Sequence, residues 1–232
     1  MRIELRTVFK RLLSRVLPDS SRLRYLSHLG KLETWRRQHT ERYPVFSDRS
    51  SLYSYLNEEV VRGGAVTYLE FGVFQGYSIK YWSRINTHPG SRFWGFDTFE
   101  GQPGVWEAFT ESLDSGAFNV AGRFPTVNDP RVGFVKGLLQ DTLCQWLRDH
   151  PIKEQLIINC DLALHSATLF ALTRCNDILR AGSIVLFGAF SNVLNEFHAL
   201  EDYCSAYRRD YDVVAATRGS ATYYSNVAIR VT

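Results

Sequence analysis

The run Tyr68-Leu69-Glu70-Phe71-Gly72-Val73-Phe74-Gln75-Gly76-Tyr77-Ser78 decides the fold. An apolar stretch ends near Glu70, a turn with two glycines follows, and a helix is expected from near Ser78. Gly72 and Gly76 let the chain turn tightly and let a ligand approach the backbone, and the first N–H groups of the helix lack partners within it. In open α/β sheets ligands bind beyond the carboxyl ends of the strands, where the strand order reverses. The spacing is Gly-x-x-x-Gly rather than Gly-x-Gly-x-x-Gly, so the dinucleotide fingerprint is not met. A glycine turn that serves the chain alone is the competing reading.

Downstream, short apolar runs alternate with helical stretches. Strands are expected at 66–71, 93–96, 132–135, 156–160 and 184–187, with helices at about 76–86, 138–148, 167–179 and 194–208. The runs are continuous rather than alternating, as strands covered by helices on both faces require. Such alternation of strand and helix implies a parallel sheet with right-handed crossovers. The last two segments, 211–216 and 223–231, are joined by so short a stretch that they should pair antiparallel. Residues 101–130 break the pattern. They hold Pro103, Pro125, Pro130 and several glycines, with a short helix expected near 106–113, and are read as a lid or binding loop.

Upstream, helices are expected at 3–16, 22–39 and 50–62, so residues 1–65 form an N-terminal helical extension to a domain at 66–232. In the first helix Leu5, Val8, Phe9, Leu12, Leu13 and Val16 recur at helical spacing among basic residues. It is read as docked on the domain or on a second copy of the chain, making a homodimer through the N-terminal helices; attachment to a membrane surface is the alternative. No apolar stretch reaches the roughly 20 residues that would cross a bilayer.

The 232 residues suit one domain with a substantial core. A net charge of +3, with no dense basic run, argues against a nucleic-acid partner. Cys144, Cys160, Cys175 and Cys204 contain no Cys-x-x-Cys pair, so a zinc site has no support in the spacing, and Cys160 within an apolar run suits a buried thiol. The expected compartment is the reducing cytoplasm.

A second signal is Phe93-Trp94-Gly95-Phe96-Asp97-Thr98-Phe99-Glu100-Gly101. Asp97 closes the next strand some twenty residues after the first turn, where an acid can accept hydrogen bonds from ribose hydroxyls or simply cap a loop. Together with Phe134-Val135-Lys136-Gly137 and Asp141-Thr142-Leu143, these runs resemble the macrocin O-methyltransferases, which are class I S-adenosylmethionine-dependent methyltransferases. The resemblance extends from about Tyr68 to Val231. It implies a doubly wound, Rossmann-like, mostly parallel seven-stranded sheet. It also implies S-adenosylmethionine as cofactor, S-adenosylhomocysteine as product, and a small-molecule acceptor of the sugar or glycosylated natural-product class. By the same resemblance Glu70, Gly72 and Gly76 hold the methionine moiety, Asp97 the ribose, and the turn at Lys136 and Gly137 the adenine. Phe74, Tyr77, Ser78, Thr98 and Asp161 complete the expected cofactor set.

The departures are as informative. The family carries Asp-x-Asp-Leu at the end of the fourth strand and a pair of acids after the fifth, which supply a divalent metal and the base. Here those positions read Asn159-Cys160-Asp161-Leu162 and Phe187-Gly188-Ala189-Phe190, and only Asp161 keeps its carboxylate. Magnesium needs hard, anionic oxygen ligands, so no metal is expected. Asp161 and His165, just beyond one strand end, are the expected base. Helix capping for Asp161, and a helix N-terminal or loop position without catalytic duty for His165, are the alternatives. Glu196 and His198 on the following helix are further candidates for the base, with a solvated helix face the favoured reading. Tyr77, Trp106, Phe109 and Tyr223 line an acceptor pocket or belong to the core. The expected function is O-methyl transfer without a metal; the alternative is a cofactor-binding protein that has lost methyl transfer.

Overall fold

The computed structural model describes residues 10, 21–39, 42–104, 106–107, 112–114, 116–219 and 224–232. The helix expected at 3–16 lies outside them save for Lys10, as do Phe109 and Tyr223, and the Trp106 side chain is likewise not described.

In chain order the elements are α1 (Ser21–Gln38), β1 (Val45–Phe46), α2 (Arg49–Tyr55) running into a π-helical turn (Leu56–Val60), β2 (Val66–Phe71), α3 (Tyr77–Ile85), β3 (Arg92–Asp97), β4 (Trp106–Glu107) and β5 (Ser112–Leu113). There follow β6 (Val132–Lys136), α4 (Leu139–Asp149), β7 (Gln155–Cys160), α5 (His165–Cys175), β8 (Ile184–Phe187), α6 (Glu196–Tyr207), β9 (Tyr211–Arg218) and β10 (Tyr224–Val231). Asp48 starts α2 by accepting the Ser51 N–H at 3.0 Å, the N-cap role that offsets an unpaired helix amide.

One sheet takes the order β1-β9-β10-β8-β7-β2-β3-β6. Strands β8, β7, β2, β3 and β6 are parallel, and β10 is antiparallel to both β8 and β9. The sheet has eight strands rather than the expected seven, because Val45 and Phe46 pair with Ala216 and Thr217 at its edge. The short helix expected near 106–113 is instead a pair of antiparallel strands with Trp106 opposite Leu113. Trp106 is aromatic and favours a strand, and Pro103-Gly104 gives a helix no support.

Both faces of the sheet are covered. Leu69, Phe71, Ile158, Cys160, Val185 and Phe187 point into one core with α1, α4, α5 and α6. Their neighbours Tyr68, Ile157, Ile184 and Leu186 point into the other, with α2 and α3. Side chains alternate across a strand, so two cores require the unbroken apolar runs that the sequence shows. All six residues of β2 are buried. The chain leaves β2 outward through β3 and β6 and returns to β7 on its other side, so the order reverses at β2 and β7. Among the described residues no helix is long and apolar enough to cross a membrane.

Candidate active-site cleft

A cavity of about 740 Å³ opens at this reversal, beyond the carboxyl ends of β2, β3, β7 and β8. Its floor is the turn after β2. Gly72 has a φ of 86°, a left-handed conformation that favours glycine, and a Cβ there would overlap the backbone carbonyl of Asp161. The two strand ends can lie this close only because position 72 has no side chain.

Asp97 holds the rest of the turn. Its Oδ2 accepts the N–H groups of Val73 at 2.7 Å and Phe74 at 2.8 Å, while Oδ1 accepts that of Phe99 at 2.8 Å. Phe74 has a φ of 51°, uncommon for a bulky residue, and its bond to Asp97 helps offset that strain. Asp97 thus organises both turns around the cavity as well as lining it. Phe74 and Tyr77 are exposed toward the cleft, and Ser78 is buried against the Tyr53 hydroxyl at 3.0 Å.

Glu70 is buried and faces the cavity, with the Tyr68 hydroxyl donating to its Oε2 at 2.7 Å. Burial pushes its carboxyl up to about 8, and the neighbouring Asp161 adds to the rise. Asp161 keeps 36% of its side-chain surface open. Burial raises its pKa too, and Arg49, whose Nη1 stands 3.5 Å from Oδ2, opposes that rise. Arg49 reaches the cleft from the first residue of α2 and lies 5.7 Å over the Tyr77 ring. No local pattern signals this: an arginine beside an N-cap reads as a surface residue.

Across the cleft, Gly188 and Ala189 follow β8. A Cβ on Gly188 would fall on the Asp161 carboxylate, so Asp161 fills the space a larger residue would use. Glu196 was expected on a solvated face and is instead wholly buried, accepting the Ala189 N–H at 2.7 Å. Burial first, and Asp161 next, raise its pKa well above the usual carboxylate range. Burial thus disfavours the ionised forms of Glu70 and Glu196, and Arg49 is the cation that faces Asp161 across the cleft.

Of the residues expected at the site, Glu70, Gly72, Phe74, Tyr77, Ser78, Asp97, Thr98, Gly137 and Asp161 all line the one cavity. Gly76, Lys136 and His165 do not. Gly76 is packed under Pro125 of the insertion. The Lys136 ammonium turns away to pair with Glu100 at 2.7 Å. The His165 ring points out of the cleft, with Nε2 3.0 Å from Asp202 Oδ2, so no Asp161–His165 pair forms. The helix expected to start at about 167 starts at His165, and a helical backbone aims that side chain at α6. Gln102, Pro103 and Phe118 of the insertion and Leu138 and Gln140 after β6 complete the walls. Gln102, Pro103 and Phe118 fall within 101–130, the stretch expected to be a lid or binding loop. The others carried no signal in the sequence.

Helices on both faces of a mostly parallel sheet, with a cleft at the strand-order reversal and an antiparallel strand beside β8, define the class I methyltransferase fold. No family model matches the chain, and no curated protein matches it. Solved structures do. The calicheamicin methyltransferase CalS11 superposes with a TM-score of 0.60 over 92% of this chain and 94% of its own, at 20% identity. The O-methyltransferase NovP gives 0.62 over 79% of each chain, also at 20% identity. The methyltransferase PaMTH1 of Podospora anserina, bound to S-adenosylhomocysteine, gives 0.51 over 93% of this chain and 89% of its own, at 18% identity. At such identities the likeness is one of fold.

Proposed function

We propose that the chain is an S-adenosylmethionine-dependent O-methyltransferase acting on a hydroxyl of a small molecule, most like the macrocin type in its cofactor half. The observation that carries this is the composition of the cleft. Glu70 and Asp97 lie toward the glycine turn, and Asp161 lies open on the far side. The residues suit that cofactor: Gly72 leaves the turn backbone bare, and Glu70 offers a buried carboxyl that a cationic amine would satisfy. When bound, the cofactor supplies an electrophilic methyl group on a sulfonium. Glu70, Gly72, Phe74, Tyr77 and Ser78 hold the methionine end, Asp97 and Thr98 the ribose, and Gly137 the adenine side; Gly76 and Lys136 act only through the shape of their turns. Asp161 takes the proton of the acceptor hydroxyl as the oxygen–carbon bond forms. Holding acceptor and donor in line in a dry cleft supplies much of the rate.

A sugar hydroxyl is the proposed acceptor, and natural-product biosynthesis the setting. CalS11 is a TDP-rhamnose 3′-O-methyltransferase of calicheamicin biosynthesis, and it shares this fold at a TM-score of 0.54. Methyl transfer without a divalent metal, a cytoplasmic location and a homodimer through the N-terminal helices belong to the same proposal. One observation favours a second reading: Arg49 already pairs with the sole remaining acid of the acceptor side. A protein that binds the cofactor but no longer transfers methyl groups would look the same. Calorimetry with S-adenosylhomocysteine, then labelled methyl transfer to a panel of nucleotide sugars and glycosides, separates the readings. Transfer supports the enzyme, binding without transfer supports the second reading, and no binding removes both.

A further inference from the structure

We propose that His165, His198 and Asp202 form a binding site for a divalent metal ion of the zinc class, outside the cleft. His165 is the first residue of α5, and His198 and Asp202 lie one turn apart on α6, which packs against it. His165 Nε2 is 3.0 Å and His198 Nε2 3.3 Å from the same oxygen, Asp202 Oδ2. Two ligands each about 2.0–2.1 Å from a tetrahedral zinc lie about 3.3 Å apart. The three candidate ligand atoms all lie within 4.8 Å of one another, so an ion can take the place of the shared protons with small side-chain shifts.

The chemistry of the set agrees. Two imidazoles and one carboxylate suit zinc and its neighbours rather than magnesium, which prefers oxygen. Burial and the adjacent His165 lower the pKa of His198, and Asp202 opposes them. The three side chains are 27–45% exposed, so an ion has a path from solvent. A further imidazole, His28 of α1, stands 4.1 Å from the His198 ring. Its Nδ1 donates to the Arg24 carbonyl at 2.8 Å, which leaves the lone pair on Nε2.

His165 follows the 161–164 segment that lines the cleft. An ion here would pin the start of α5 to α6 and steady the cleft wall without entering the cavity.

The test uses the full chain, stripped with EDTA and freed of chelator. Titration with zinc chloride should show one ion per chain by calorimetry and by elemental analysis. At a hundredfold excess over Kd the thermal midpoint should rise by about 5–10 °C, and magnesium should not reproduce the rise. Uptake should weaken as pH falls, because protons compete with the metal for its ligands. Asp202→Asn and His198→Gln, each checked for fold by circular dichroism, should abolish the rise; Cys204→Ser should not. No zinc uptake by the parent chain, or uptake unchanged in Asp202→Asn and His198→Gln, would overturn the proposal and leave a hydrogen-bonded histidine–aspartate network.

Discussion

Asp161 and Gly188 share one volume: a Cβ added at residue 188 would coincide with the Asp161 carboxylate, although 27 residues separate them in the chain. The bare backbone after β8 and the position of the Asp161 carboxylate after β7 are therefore one structural fact. Gly188→Ala should cost about 1–3 kcal/mol through overpacking, and should displace Asp161 or its strand end. Gly30, inside α1 with open space around it, is the control, and its change to alanine should stabilise by about 0.5–1 kcal/mol. Urea denaturation of both variants checks the opposite signs.

The Asp97 carboxylate accepts the backbone N–H groups of Val73 and Phe74 on one oxygen and that of Phe99 on the other. Asparagine therefore turns an NH2 group against a backbone N–H whichever way it flips. Asp97→Asn should weaken S-adenosylhomocysteine binding about ten- to a hundredfold, the equivalent of about 1.5–3 kcal/mol. Calorimetry measures it, and unchanged affinity would remove Asp97 from the binding site.

Glu70 sets a pH dependence whose sign follows from its raised pKa. Between the ordinary carboxylate value of 4.5 and about 8 the folded chain keeps the proton that the unfolded chain has lost. Stability should therefore fall as pH rises through that window and level off above it. Asp161 and Glu196 are shifted in the same direction, so the contribution of Glu70 is read as a difference. Glu70→Gln keeps the acceptor for Tyr68 and cannot ionise, so its advantage over the parent should grow from pH 5 to pH 8. Equal slopes in chemical denaturation across that range would show that Glu70 titrates normally.

Asp161→Asn should lower methyl-transfer turnover about 10²–10⁴-fold while changing cofactor affinity little. The relevant measurements are kcat against acceptor and calorimetry with S-adenosylhomocysteine. Parent-like turnover would place the base elsewhere.

Methyl transfer should survive exhaustive EDTA treatment at 25 °C. Asn159 offers one neutral oxygen, while Gly188 and Ala189 offer no side-chain ligand, so Asp161 alone would leave magnesium poorly compensated. Activity lost to EDTA and restored by magnesium would reverse this reading. Zinc bound near His165 would change stability instead, and the two ions are told apart by which of them restores which property.

The sequence by itself determined the doubly wound sheet and the place of the cleft. Buried parallel strands demand contiguous apolar runs, and a glycine turn between strand and helix is a local event, so 66–71 and the turn at Gly72 are written in neighbouring residues. Asp97 was legible for the same reason, as the acid that ends the next strand. What only the tertiary structure decided are meetings between distant segments. Val45 and Phe46 become a strand because an edge of β9 is free to pair, and Arg49 reaches Asp161 because that pairing places α2 at the mouth of the cleft. Glu196 is drawn inside because the Ala189 N–H needs an acceptor there. His165 faces Asp202 rather than Asp161 because a helix turns about 100° per residue. A start two residues earlier than expected was enough to aim its ring at α6, and no local pattern fixes a helix start that closely.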